Sequence, residues 1–331
     1  MKKLFFSVAA LAALLLTVSC QQENLEPAAG DGTVTYSVQM PGSLATKAVG
    51  DDLAAEYELI YEVYRAAEID VLDAEPLYEG TAAFSGKVAT VQLQFVKRQD
   101  YKVLFWAQAS GSVYGEPANL QAISMNYGTG STPGNGNDEK RDAFYGTQTF
   151  VTDGTVITCD PLKRPFAQLN FLATDFKTGV EYEGIPMGNI ELIKTTVEVV
   201  TAAPSFNVAK GGPVDGATPV NAVFEATNFV DVDGNGEVDL YGDPADGNCV
   251  ISMNYVLPSA ATTNVNATFY YQLNNGGSII PCSPQVYALT NLDLVENFRT
   301  NVSGSLFLQG SSYEVSVSSV FDTPDYDEPI L

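Results

Sequence analysis

The stretch Asn264–Leu273 (NVNATFYYQL) alternates between apolar and polar side chains over ten consecutive positions. Apolar residues stand at every second place, from Val265 through Phe269 to Leu273. Successive side chains of a β-strand point to opposite faces of the sheet, so this period of two predicts a strand with one buried and one polar face.

The same alternation recurs along the chain, at residues 91–95, 167–171, 251–255 and 313–317. Turn-forming pairs separate these runs, at Gly111-Ser112, Asp153-Gly154, Asn274–Gly277 and Gln309-Gly310. Many short strands with few helical segments are typical of antiparallel β-sandwiches. We therefore predict an all-β protein.

The composition excludes several function classes. The 331 residues include 40 Asp and Glu against 16 Lys and Arg, a net charge of -24, and no histidine. Histidine-dependent catalytic relays and His-ligated metal sites are therefore absent. The negative charge disfavours binding to nucleic-acid phosphates and to anionic membrane surfaces.

No motif predicts an enzyme. Acidic residues abound, but no spacing singles out a carboxylate pair for glycoside hydrolysis. A serine nucleophile motif, a phosphate-binding loop and a dinucleotide fingerprint are all missing. Several aromatic residues could line a sugar-binding platform or fill a core: Tyr61, Tyr64, Phe105, Trp106, Tyr270 and Tyr271.

The N-terminus predicts an export signal. Lys2 and Lys3 precede the apolar run Leu4–Val18, which is short for a membrane span and fits a signal peptide at residues 1–19. The end of this run, LTVSC, is similar to a bacterial lipobox, which predicts acylation of Cys20 and a lipidated tether over residues 20–33. The alternative is an ordinary signal peptide with an incidental cysteine. Because Gln21 follows the cysteine, we expect an outer-membrane or surface location.

The remaining cysteines leave two alternatives open. An exported chain can form disulfides, and Cys249 with Cys282 is the candidate pair because both lie in the C-terminal half. The alternative is three free thiols, including Cys159. No CxxC spacing indicates a redox motif or a zinc site.

An acidic segment resembles the first half of a calcium-binding loop. Its oxygen-bearing residues are Asp231, Asp233, Asn235, Glu237 and Asp239. Calcium prefers six to eight oxygen ligands, but the twelfth position, where a bidentate glutamate belongs, holds Gly242. The alternatives are a structural Ca²⁺ site, the only cofactor predicted, and an acidic turn between strands.

Two segments divide the chain. Residues 126–142 are rich in Gly, Asn and Asp and are predicted to form a long surface loop. The run Cys159–Pro165 contains two prolines, which disrupt central strands. We place a boundary there, giving an N-terminal β-sandwich domain at residues 34–162 and a C-terminal one at residues 163–331.

A lysine follows the first predicted strand. The strand-like run Val34–Met40 leads to Thr46-Lys47-Ala48, ahead of the acidic pair Asp51-Asp52. Basic residues are scarce in this chain, so Lys47 is either an exposed cleavage point or an ordinary loop lysine.

Together these features resemble the fimbrillin superfamily of Bacteroidales, the lipoprotein subunits of type V pili. The stretches that carry the resemblance, in order, are the lipobox at Cys20, ATKA at residues 45–48, VLFWAQ at 103–108, DEKRDAFYG at 138–146, LKRPFAQLN at 162–170 and NFRTNV at 297–302.

The resemblance implies a fold and a mode of assembly. It implies two tandem transthyretin-like β-sandwiches and a non-enzymatic surface lipoprotein that serves as a structural, tip or anchor subunit of a fimbrium. A trypsin-like protease would cut between Lys47 and Ala48, where the best-studied stalk pilins have arginine. A neighbouring subunit's strand would then fill the groove left by the first strand.

The partners and an alternative function follow from the same resemblance. The partners would be other fimbrial subunits, with the outer membrane reached through the lipid. The tail Phe321–Leu331 is a candidate donor strand, although its Asp and Pro residues suit a strand poorly. The alternative function is a surface lipoprotein that binds a glycan or another ligand.

The calcium hypothesis gives the first testable prediction. Isothermal titration of the mature protein with CaCl₂ should show one binding event, and Asp231→Ala/Asp233→Ala should abolish it because two of the hard-oxygen ligands are removed. No heat of binding at millimolar Ca²⁺ would leave the segment as an acidic turn.

Overall fold

The strand content is the main feature of the computed structural model, which describes residues 33–41, 57–69, 74–96, 99–151, 156–176, 179–182, 185–227, 249–307 and 313–318. Apart from a 3-10 helix at Glu139–Arg141, the regular structure of these residues is β-strand. The predicted all-β class is confirmed. Within the same ranges, no helix has the length and apolar character needed to cross a bilayer.

The described residues of the first half form these strands: β1 (Thr33–Gln39), β2 (Tyr57–Arg65), β3 (Tyr78–Ser85), β4 (Val88–Gln94), β5 (Asp100–Ala109), β6 (Ile123–Ser124), β7 (Gly134–Asn135), β8 (Ala143–Val151) and β9 (Val156–Thr158). Those of the second half form β10 (Ala167–Ala173), β11 (Val180–Tyr182), β12 (Ile185–Ala202), β13 (Ser205–Asn207), β14 (Gly212–Pro213), β15 (Val220–Ala226), β16 (Cys249–Val256), β17 (Thr262–Asn275), β18 (Ser278–Pro281), β19 (Gln285–Asp293), β20 (Arg299–Gly304) and β21 (Tyr313–Ser318).

The first half contains one sheet of seven strands, in the order β8-β5-β2-β3-β4-β1-β9. Strand β3 pairs with β2 along most of its length, but only Phe84 and Ser85 pair with β4. Side chains from both ends of the sheet share one buried cluster, which we call the first core; it includes Tyr36, Val91, Val103 and Phe144. The sheet therefore folds over at β3 and encloses the first core.

The second half builds a four-stranded sheet, β16-β10-β20-β21, and a larger sheet, β18-β17-β12-β15-β7, with β19 also paired to β17. Both sheets contribute side chains to the second core, among them Phe171, Phe269 and Val302. The inward residues of β17 match the predicted alternation, since Val265, Ala267 and Phe269 are all fully buried.

A third core joins the two halves, and β5 reaches it with its opposite face. Val103, Phe105 and Ala107 of β5 point into the first core, whereas Leu104 and Trp106 point into the third. Trp106 lies against Phe166 and Phe206, which belong to the second half, with ring centroids 6.4 and 5.9 Å away. Strand β5 is thus buried on both faces, as a central strand between two layers.

The polar faces of β10 and β16 are buried, which the alternation of these strands did not predict. Gln168 and Asn254 are each 2% exposed. Gln168 Nε2 donates to the Tyr255 hydroxyl at 3.0 Å, and Asn170 Nδ2 donates to Asn301 Oδ1 at 2.9 Å. Hydrogen bonds replace the water lost by the amide nitrogens of Gln168 and Asn170, whereas Asn170 Oδ1 and Asn254 Oδ1 have no partner among the described residues.

Residues 126–142 do not form a free surface loop as predicted. The segment crosses to the second half, where β7 pairs in parallel with β15. The Asn137 amide donates to the Met253 carbonyl at 2.9 Å, and the Met253 amide donates back to Asn137 Oδ1 at 2.8 Å. The first half therefore supplies an edge strand to a sheet of the second half.

The predicted boundary between residues 162 and 163 lies in the connection from β9 to β10 and stays a prediction. Strand β6 pairs with β13 as β7 does with β15, so two short strands from the first half belong to sheets of the second.

Gly128 gives a prediction about this crossing segment. A Cβ at residue 128 would clash with the Gly134 amide nitrogen, so the two backbone segments must separate if it is added. We expect Gly128→Ala to lower the free energy of unfolding by about 3 kcal/mol in urea denaturation.

The matched control is Gly130→Ala, because a Cβ at residue 130 would meet no atom within 4 Å. Equal stability of the two variants would contradict the close packing of the crossing segment.

Candidate strand-exchange site

Strand β1 lies inside the first sheet, between β4 and β9. All seven of its residues pair with β4 in antiparallel register, from Thr33 opposite Gln94 to Gln39 opposite Val88. On its other side, only Thr35, Tyr36 and Ser37 pair in parallel with β9. One flank of β1 is therefore a full ladder and the other a short one.

One face of β1 is entirely buried. Val34, Tyr36, Val38 and Met40 are at most 3% exposed, whereas Thr35 and Ser37 on the other face are half-buried. The strand-like run predicted at Val34–Met40 coincides with β1. Burying one such side chain stabilises the fold by about 1.5–3 kcal/mol. Removal of β1 would therefore uncover an apolar groove that favours another occupant.

Aromatic rings close the groove around Tyr36. Its ring centroid lies 6.4 Å from that of Phe95, 6.1 Å from Phe105 and 5.4 Å from Phe150, in edge-to-face geometry. Aromatic quadrupoles favour this arrangement over face-to-face stacking. We call these three residues the ring cage.

The chain after β9 forms the far wall of the groove. The Cys159 amide donates to the Ser37 carbonyl at 3.0 Å, and the Leu162 amide donates to the Gln39 carbonyl at 2.9 Å. Cys159 is a buried free thiol. Burial, and secondarily the charge of Asp160, raises its pKa to about 12, so the thiol is protonated and unreactive while β1 is in place.

A buried ion pair anchors this wall. Arg164 donates from Nε and Nη2 to the two carboxylate oxygens of Asp142, each at 2.6 Å, and both side chains are at most 2% exposed. The guanidinium also lies 4.8 Å from the centroid of the Phe144 ring. The bidentate geometry fixes residue 164, two places after Leu162.

Strand β21 contrasts with β1, because its apolar side chains lie at the edge of a sheet and are exposed. Among the described residues it pairs with β20 alone, and Tyr313, Val315 and Val317 are 41–45% exposed. The alternation in the sequence predicted a buried face for these residues, and this prediction is wrong. Their partners Val302 and Thr300 on β20 are fully buried. Because paired residues point to the same face, the apolar side chains of β21 point to the core side, at an edge of the sheet that is not covered by the described residues.

The predicted modification and cleavage residues lie outside the described residues: Cys20, Lys47 and Ala48, together with the tail at residues 321–331. The calcium candidates do so as well: Asp231, Asp233, Asn235, Glu237 and Asp239. Within the described ranges, no group of three Cys, Asp or Glu residues could hold a metal ion.

The predicted disulfide also stays a prediction. Cys282 is a free thiol in the structure, and its Sγ lies 3.7 Å from the Ile280 carbonyl oxygen. The side chain of Cys249 lies outside the described residues.

The aromatic residues considered for a sugar platform mostly fill cores. Tyr64, Phe105 and Trp106 are at most 1% exposed, and Tyr271 is also buried. Tyr270 is half-buried on the opposite face, where the Lys194 ammonium lies 4.9 Å from its ring centroid. These positions form no exposed aromatic platform.

The fold and this site define an all-β protein whose first strand fills an apolar groove. The chain belongs to the Family of unknown function (DUF6562), whose model matches residues 26–330. No curated protein matches the chain significantly.

The chain is also similar to several crystal structures. One is a protein with a proposed cell-adhesion role from Bacteroides ovatus, with 13% identity, a TM-score of 0.47, and coverage of 87% of this chain and 98% of that one. A fimbrial assembly protein from Parabacteroides distasonis has 12% identity, a TM-score of 0.41, and coverage of 86% and 98%. A fimbrilin from Porphyromonas gingivalis has 12% identity, a TM-score of 0.41, and coverage of 87% and 96%.

The anchor of the groove wall gives a further prediction. Asp142→Ala should lower the free energy of unfolding by about 3–5 kcal/mol, because the Arg164 guanidinium is left buried without its carboxylate. The measurement is urea denaturation followed by the fluorescence of Trp106, the single tryptophan.

The control is Asp215→Ala, which removes an exposed ion pair with Lys210 and should change stability by less than about 1 kcal/mol. Similar losses in both variants would mean that the buried pair stabilises the fold no more than a surface pair does.

Proposed function

We propose that the protein is a non-enzymatic fimbrial subunit of the cell surface, assembled by strand exchange after proteolysis behind β1. The observation that supports this most directly is the burial of four alternate side chains on a strand near the N-terminus of the described chain. Such a strand is removable by a single cut in the 17-residue connection between β1 and β2. Its loss would leave an apolar groove flanked by unpaired backbone groups, which bind an extended segment.

The donor that this chain would offer to a neighbour is β21. Its apolar residues at 313, 315 and 317 follow the same period of two as those buried on β1. Within the part of the chain that the structure describes, it has one neighbouring strand, so its release would break that one ladder. We prefer β21 to the acidic tail at residues 321–331 because the tail contains prolines and charges where apolar side chains are needed.

The proposal extends to the organisation of the whole chain. The chain would fold into two tandem transthyretin-like sandwiches, at residues 34–162 and 163–331. It would be exported by the signal peptide and anchored to the outer membrane through Cys20. The partners are other fimbrial subunits, and a structural Ca²⁺ at Asp231–Asp239 belongs to the same proposal. The chain would serve as a stalk, tip or anchor subunit of the fimbrium.

Proteolysis of the full-length mature protein tests the proposal. Trypsin should cut first between Lys47 and Ala48, and the segment that contains β1 should then dissociate. Mass spectrometry after alkylation should show Cys159 labelled only in the cleaved protein, because β1 covers this thiol before the cut. Electron microscopy should then show fibres or oligomers.

The matched control is Lys47→Ala, which should stay intact under the same conditions and leave Cys159 unlabelled. Surface fibres composed only of intact, lipidated chains would refute assembly by this route. Cleavage with retention of β1 would refute strand exchange.

A further inference from the structure

We propose that the position of Tyr36 is a selectivity pocket of the β1 groove. This pocket fits the aromatic ring of Tyr36 but gives its hydroxyl no hydrogen-bond partner. A partner strand that places phenylalanine there would bind more tightly than β1 does. This inference rests on the proposed strand exchange and deepens it, since it specifies the chemistry of the strand that the groove prefers.

The mismatch lies in the Tyr36 hydroxyl. The residue is fully buried, and its hydroxyl has no hydrogen-bond partner among the described residues. Burial, and secondarily the neighbouring Cys159, raises the pKa of this hydroxyl, so it stays neutral as well as unpaired.

Three other buried tyrosines have hydrogen-bond partners for their hydroxyls. The Tyr64 hydroxyl donates to Glu62 Oε2 at 2.7 Å, and the Tyr114 hydroxyl donates to the Arg141 carbonyl at 2.6 Å. In the second core, the Tyr271 hydroxyl donates to the Phe307 carbonyl at 2.9 Å. The orphaned hydroxyl is therefore a property of the β1 position and not a general feature of these cores.

The surroundings favour a ring without a hydroxyl. The ring cage of Phe95, Phe105 and Phe150 offers aromatic edges and faces but no acceptor to the side chain at residue 36. A buried hydroxyl that loses its water without gaining a partner weakens folding or binding by about 5- to 150-fold. Phenylalanine keeps the ring contacts and avoids this penalty.

The same cage disfavours small side chains. A valine in place of the ring would leave part of the cage without contacts, and cavities of this kind destabilise cores. Strand β21 of this protein carries only Tyr313, Val315 and Val317 on its apolar face. A second copy of the chain would therefore fill the pocket with a tyrosine or a valine, so the preferred donor is a different chain with phenylalanine at the pocket.

Peptide binding to the cleaved full-length protein tests this selectivity. The probes are synthetic peptides of residues 33–41 with the native sequence, with Tyr36→Phe, and with Ser37→Ala. Protection of Cys159 from alkylation reports groove occupancy. The Tyr36→Phe peptide should bind about ten-fold more tightly than the native peptide.

The Ser37→Ala peptide is the matched control, because it deletes a hydroxyl from the opposite, half-buried face of the same strand. It should bind within about two-fold of the native peptide. Equal affinities of the native and the Tyr36→Phe peptides would overturn the inference, as would tighter binding of a peptide of residues 313–318 than of the Tyr36→Phe peptide.

A measurement on the intact chain separates this inference from the proposed function. Tyr36→Phe should lower the unfolding equilibrium constant of the uncleaved protein about ten-fold, and this result does not require exchange. An unchanged constant would refute the mismatch even if β1 is released after cleavage. Retention of β1 after cleavage would refute strand exchange while leaving the Tyr36→Phe result valid.

Discussion

Burial of both faces of β5 is the constraint on which the rest of the structure depends. Its odd-numbered side chains complete the core that holds β1, and its even-numbered ones bring Trp106 against the second half. A strand with two buried faces tolerates no shift in register, because a slip of one residue would exchange the two sets of side chains. The walls of the β1 groove and the contact between the halves are therefore fixed by the same strand.

The two unusual strands of the molecule are complementary. Strand β1 has its apolar face buried and lies between two strands. The apolar face of β21 is nearly half exposed, and β21 has one neighbouring strand among the described residues. Natural proteins usually protect an apolar edge strand with charges, prolines or bulges. Glu314 is the only charged residue of β21, so this edge is weakly protected and suits an intermolecular ladder.

The sequence predicted the positions of the strands far better than it predicted which of their faces are buried and which strands they pair with. Alternation identified β17, because a period of two is a local property of the strand. It failed for Gln168 and Asn254, whose polar side chains are buried by contacts with distant residues, and for Val315, whose apolar face lies at an open edge. The short pairing of β9 with β1 joins residues that are far apart in the chain, and no local pattern indicates such a partner. The sequence could not predict the unpaired hydroxyl of Tyr36 either, since its hydrogen bonding depends on which side chains surround it.

The segment that carries β7 has a consequence for how the protein can be divided. A chain cut between residues 162 and 163 would take β6 and β7 away with the first half and leave the backbone of β15 open at the sheet edge. The same cut would expose Phe206 and Tyr255, which pack in the third core. The second half consequently cannot be produced alone with its sheets complete, because β6 and β7 come from the first half.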